Sequence, residues 1–126
     1  GFSMEFQRLY GYKVIVDGWH VHNYAEAGDY SSFIWRRNLT AFWDWILANG
    51  EPVELWVSEM GCLGSTPVAA QVITDQTAWL SAQPFITRYA FFATQSSGPG
   101  CAGCTGALLN VDGTLTTLGE LYRSLP

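Results

Sequence analysis

"PVELWVSEMG", residues 52–61, decides how this chain is read. Val53, Leu55, Trp56 and Val57 make a short apolar run of good strand formers, and the run stops on Ser58 and Glu59. A buried strand has no use for a carboxylate unless it is paired or put to work, whereas a strand end meeting water tolerates one freely. Glu59 is therefore either a solvated strand end or a functional acid, and the flanking segments bear on that choice.

Two further segments share the strand character: "YKVIVDGWHVHNY" (12–24) and "FITRYAFFAT" (85–94). Between the first two lies "SSFIWRRNLTAFWDWILANG" (31–50), in which Phe33, Ile34, Leu39, Phe42, Trp43, Ile46 and Leu47 recur at helical spacing. Ser31 or Ser32 caps its start, and Gly50 stands where a left-handed terminal residue belongs. A second helix is predicted over 67–82, with Thr66 as N-cap, Pro67 in the first turn, and Val68, Val72, Ile73, Trp79 and Leu80 facing the core. The tail "TLTTLGELYRSLP" (114–126) predicts a short helix capped by Thr116 or Thr117, with Leu118, Leu121 and Tyr122 docking.

The order strand, helix, strand, helix, strand, helix points to an α/β fold with a parallel sheet covered by helices. The expected organisation is a single domain: residues 12–126 form the βαβαβα body, and residues 1–11 are a lead-in. The opening Gly1-Phe2-Ser3-Met4 reads as a vector-derived scar or a cut point in a longer chain. The longest irregular stretch, 95–107, is rich in Gly, Ser and Cys and is expected to be one surface loop.

In such folds functional residues gather where parallel strands end. With all three strands parallel, His20, His22, Tyr24, Glu59 and the aromatics near Phe91 ring one mouth. Strict alternation would place Val53, Leu55, Val57 and Glu59 on one face of their strand, as it does His20, His22 and Tyr24 on theirs. His20 and His22 fit hydrogen-bonded core positions as well, and Tyr24 fits a packing ring.

Composition narrows the classes. With 126 residues the chain supports one modest core, and 48% hydrophobic against 13% charged residues excludes a disordered chain. Aromatics reach 15%, including six Trp, which suits either a large-ring core or a cleft for sugars or bases. The net charge of −5, with only six Lys and Arg and no basic patch, argues against nucleic-acid binding. No stretch approaches the roughly 20 apolar residues of a membrane span. Cys62, Cys101 and Cys104 are the three cysteines, and the last two form Cys-Ala-Gly-Cys inside "SSGPGCAGCTG". That pair fits a disulfide stapling the loop, free thiols, or half of a metal site lacking its other two ligands. No metal and no cofactor is expected. A disulfide would favour a secreted or extracellular setting.

Taken in order, "VDGWHVHNY", "PVELWVSEMG", "ITRYAFFAT" and "ALLNVDGTLTTLGELYR" resemble the C-terminal part of a (β/α)8-barrel retaining glycoside hydrolase of the endo-β-1,3-glucanase-like catalytic-core family. The resemblance runs from about Val16 to Arg123 and implies a partial barrel of three βα units, corresponding to strands six to eight. It implies that Glu59 is the nucleophile, at the end of strand seven. Tyr24, ending strand six, would contact that nucleophile, and His22 would line the same cleft. Trp19, His20, Phe91 and Phe92 are the substrate-facing set on this reading, with Phe91 standing where the family often has a Trp. The acid/base glutamate and the Asn before it belong to strand four, and no Asn-Glu pair occurs in this sequence. Glu26 is the acid nearest the expected mouth.

A complete barrel needs roughly 250 residues, so the chain is expected to be a piece, inactive without its complementary half. Its expected partners are a β-glucan or other polysaccharide, and either a second copy or an N-terminal barrel half covering its open sheet edges. A non-catalytic carbohydrate-binding module and an oligomerising barrel fragment are the alternatives.

Overall fold

The computed structural model describes residues 2–13, 15–26, 33–49, 53–63, 66–92, 94 and 106–126. Its elements are α1 (Phe2–Tyr10), β1 (Gly18–Glu26), α2 (Phe33–Ala48), β2 (Glu54–Leu63), α3 (Thr66–Ser81), β3 (Ile86–Phe91) and α4 (Thr117–Ser124). The strands form one parallel sheet of order β1-β2-β3, so the "PVELWVSEMG" segment occupies its centre. The α/β alternation expected from the sequence is present, and three parallel strands in one sheet are compatible with part of a TIM-like barrel.

Helices cover one face of the sheet. In α2, Trp35, Leu39 and Ile46 are buried and Phe42 packs beside them, a spacing of four, three and four that keeps all four on one side of the helix. Ile34 and Leu47, expected in that stripe, lie one position off it and are exposed. In α3, Ala69, Val72, Ile73, Gln76, Thr77 and Leu80 are all buried, a full helical face at spacings of three and four. Trp35 meets Trp79 edge-on with ring centroids 5.2 Å apart, joining α2 to α3. Trp43 and Phe85 stack at 5.1 Å and tie α2 to the approach to β3. Each fully buried aliphatic residue here contributes about 1.5–3 kcal/mol relative to leaving it in water.

The sheet face against these helices carries Trp19, Val21, Asn23 and Ala25 from β1, Leu55, Val57 and Met60 from β2, and Ile86, Tyr89 and Phe91 from β3. β1 alternates strictly, but β2 and β3 do not. The β1–β2 register pairs Val21 with Val57 and then His22 with Glu59, leaving Ser58 as an extra residue. From the other side the same irregularity appears, because Val57 pairs with Tyr89 and Met60 with Phe91. A second irregularity pairs Leu55 with Ile86 and Trp56 with Arg88, which makes Thr87 the extra residue of β3. Each is a β-bulge, and each puts two successive side chains on the face away from the helices.

The bounds of all three strands differ from expectation, β3 ending at Phe91 where the sequence predicts strand over 85–94. The segment 12–24 enters the sheet only at Gly18; Ile15, upstream, is almost fully exposed and among the described residues pairs with no strand. Residues left as a lead-in instead hold α1, closed by Gly11, whose φ of 75° and amide bond to the Gln7 carbonyl make a left-handed helix stop. β2 runs to Leu63, four residues past Glu59, so Cys62 lies within the strand. Cys101, Cys104, Ser31, Ser32 and Gly50 fall outside the described residues, as does most of the 95–107 stretch.

The C-terminal helix is as expected. Thr116 is its N-cap and accepts from the Gly119 amide at 3.0 Å, while its own hydroxyl donates to the Ala107 carbonyl at 2.6 Å. Gly119 is required by proximity: a Cβ there would stand 2.0 Å from the Leu108 carbonyl oxygen. Leu118 is buried, and Leu121 and Tyr122 pack on the core, with Tyr122 against Phe91 at 5.8 Å.

Candidate active site

The face of the sheet away from the helices displays His20, His22 and Tyr24 from β1, Trp56, Ser58 and Glu59 from β2, and Arg88 and Phe92 at β3. Strict alternation would send Glu59 to the same face as Leu55 and Val57, among aliphatic side chains. The bulge at Ser58 corrects that expectation. Leu55, Val57 and Met60 stay in the helix-covered core, while Ser58 and Glu59 both turn to the open face.

There Glu59 meets the residues expected beside it. Tyr24 Oη donates to Glu59 Oε2 at 2.5 Å, and His22 Nδ1 lies 3.2 Å from the same oxygen, forming an ion pair when the ring is protonated. The Glu59 side chain is 30% exposed and that of His22 51%, so the carboxylate is sheltered on one side and open to a ligand on the other. Among the described residues both partners converge on Oε2, which leaves Oε1 uncommitted. Gly61 makes room for the arrangement: a Cβ there would lie 2.9 Å from the Phe92 carbonyl oxygen and 3.6 Å from the Tyr24 ring.

His20 stands one step down β1, its ring 6.0 Å from that of His22, with Nδ1 2.9 Å from Ser58 Oγ. Phe92 is 39% exposed and meets the Tyr24 ring edge-on at 6.4 Å. Phe92 is thus the aromatic ring at the rim. Phe91, expected there, is only 8% exposed and packs inward on Tyr122. Trp19 is on the other face too, held edge-on between Phe42 and Trp45 of α2, because odd positions of β1 point to the helices. The backbone of Glu26 ends β1 beyond Tyr24.

Below this layer the open face has a second polar group that the sequence reading passed over. Glu54 Oε2 accepts from Trp56 Nε1 at 2.8 Å and from Thr87 Oγ1 at 3.2 Å, and the Arg88 guanidinium lies 4.9 Å over the Trp56 ring. The Trp56 and Thr87 hydrogen bonds hold the Glu54 carboxyl below its ordinary range. Nothing in strand periodicity announces the bulge that brings Thr87 and Arg88 to one side. Among the described residues no group of three or more His, Cys, Asp or Glu is placed to hold a metal ion. No described helix is long and apolar enough to cross a membrane.

A family model described as the glycosyl hydrolase catalytic core matches residues 7–122, nearly the whole chain. The chain belongs to that family. No curated protein matches it significantly. Among solved structures it is similar to a GH128 (subgroup I) endo-β-1,3-glucanase mutant from Amycolatopsis mediterranei in complex with laminaripentaose, at 22% identity and TM-score 0.69, covering 98% of this chain and 50% of that one. A GH128 (subgroup II) endo-β-1,3-glucanase from Pseudomonas viridiflava gives 21% identity and TM-score 0.65, covering 99% and 46%. A GH128 (subgroup III) curdlan-specific exo-β-1,3-glucanase from Blastomyces gilchristii, in complex with glucose, gives 20% and 0.67, covering 87% and 41%. At these identities the likeness is one of fold, and this glycosyl hydrolase core spans about half the length of the structures it matches.

Proposed function

We propose that this glycosyl hydrolase core is the nucleophile-bearing half of a retaining β-1,3-glucan hydrolase, contributing strands six to eight of a (β/α)8 barrel. The observation that carries this reading is the convergence of Tyr24 and His22 on one oxygen of Glu59. A retaining glycosidase attacks the anomeric carbon with one carboxylate while a second, about 5 Å away, protonates the departing oxygen. Such a nucleophile must be ionised and fixed. A phenol donating to Oε2 supports the anion and sets the rotamer, so that Oε1 faces the sugar.

On this reading Phe92 offers an apolar ring beside Glu59, as pyranose faces require. The matched structures bound to laminaripentaose and glucose support a β-1,3-glucan as the substrate class. The acid/base carboxylate would come from a complementary barrel half, and the core alone would not hydrolyse unactivated glucan.

A dinitrophenyl leaving group departs without protonation, so a fluorinated laminaribioside bearing it tests the nucleophile in the absence of the acid. The expected result is a covalent adduct on Glu59, located by peptide mass spectrometry and absent in Glu59→Gln. Saturable binding of laminari-oligosaccharides with no adduct would replace this reading with a carbohydrate-binding one.

A further inference from the structure

The bulge that brings Glu59 to the open face brings Ser58 with it, and Ser58 bonds His20. Ser58 Oγ is also directed at the Val21 carbonyl oxygen, at a long 3.5 Å. With the hydroxyl hydrogen aimed there, Oγ accepts from His20 Nδ1–H, and the lone pair of the neutral imidazole is left on Nε2. His20 is exposed, and among the described residues Nε2 has no partner. In this tautomer Nε2 is an acceptor, oriented by the Ser58 contact, on the face that carries Glu59 and beside His22.

We propose that His20 is a specificity-determining contact for the glycan: Nε2 accepts a hydrogen bond from a sugar hydroxyl at the subsite next to Glu59, and Ser58 is the positioning residue that fixes the ring. This inference rests on the proposed function and names its second point of substrate contact. A sugar chain presents a hydroxyl to each neighbouring subsite, and an acceptor fixed by its other nitrogen selects which hydroxyl it meets. The pairing also gives the bulge two consequences from one inserted residue, because it delivers the nucleophile and orients the recognition group beside it.

The two ring nitrogens make the test specific. Asparagine at position 20 places its amide where Nδ1 stands and reaches Ser58, whereas glutamine reaches the position of Nε2. Laminari-oligosaccharide binding would be measured by calorimetry on the chain and on His20→Asn, His20→Gln, Ser58→Ala and Ser58→Thr. Labelling of Glu59 by the fluorinated laminaribioside at saturation would be followed in parallel. Loss of one neutral hydrogen bond predicts about tenfold weaker binding for His20→Asn. Near-retention is expected for His20→Gln, an intermediate loss for Ser58→Ala, and rescue by Ser58→Thr. A purely structural role would give the reverse order, with asparagine tolerated and glutamine harmful, and would overturn the inference. Unchanged binding in every variant with labelling intact would also overturn it while leaving the proposed function standing. Absence of both binding and labelling in the unmodified chain would remove that function and this contact together.

Discussion

Tyr24 and Glu59, 35 residues apart, are joined at 2.5 Å across two neighbouring parallel strands, the phenol on an outer strand and the carboxylate on the central one. The contact exists because the β1–β2 register slips by one at Ser58. That slip pairs His22 with Glu59 and turns the carboxylate toward the rings of β1.

Replacing Tyr24 with Phe removes only the donor. A hydrogen bond to a charged group is worth about 1.5–3 kcal/mol, so adduct formation on Glu59 should slow at least about tenfold while circular dichroism stays that of the parent. An unchanged labelling rate would show that the phenol does not support the carboxylate.

Gly61→Ala should disturb the site without touching its chemistry. The added methyl meets the Phe92 carbonyl, and the strand ends must separate to accept it. Overpacking of this kind costs about 1–3 kcal/mol. The expected outcome is a lower denaturation midpoint together with slower labelling of Glu59, because Tyr24 and Phe92 both border the same glycine.

The last helix is held by its cap. Thr116→Ala removes the acceptor for the Gly119 amide and the donor to the Ala107 carbonyl. A loss of about 1 kcal/mol follows, read as a Tm lower by roughly 4 °C. Thr116→Ser keeps both bonds and should restore most of it.

Acid stability should report Glu54. Its carboxyl is held below the ordinary 4.5 first by the Trp56 hydrogen bond and then by that of Thr87. A depressed folded-state value gives stability that is present above 4.5 and is lost as the pH falls through the lower folded value. Urea midpoints for the parent and Glu54→Gln should therefore differ most near neutrality and converge as the solution is acidified. A gap that stays constant would show that Glu54 does not contribute through its charge.

Much of the fold was legible because burial imposes periodicity. Leu39, Phe42 and Ile46 of α2, Val72, Ile73 and Leu80 of α3, the Thr116 cap and a strand within each of the three apolar runs are local patterns that the structure keeps. Residues at the bulges were not legible, since an extra residue in a parallel strand leaves no mark until its neighbours are known. Counting by twos from Val53 put Glu59 on the face of Leu55 and Val57, and only pairing with β1 and β3 reveals the change of phase. The same limit explains the aromatics. "GWHVHNY" shows that Trp19 and Tyr24 alternate across a strand, but α2 decides that the odd positions are the covered ones. Phe91 and Phe92 are adjacent, so one had to be the rim ring, and Tyr122, from a distant segment, claims the other.

Ser58 acts as a frame-setting residue. Upstream of it the core-facing side chains Leu55 and Val57 are odd-numbered, and beyond it Met60 is even-numbered, so the strand absorbs its extra residue on the open face. Removing that one residue would return β2 to plain alternation, with Val57 and Met60 still facing the helices and Glu59 still on the open face, but His20 would lose its hydroxyl partner.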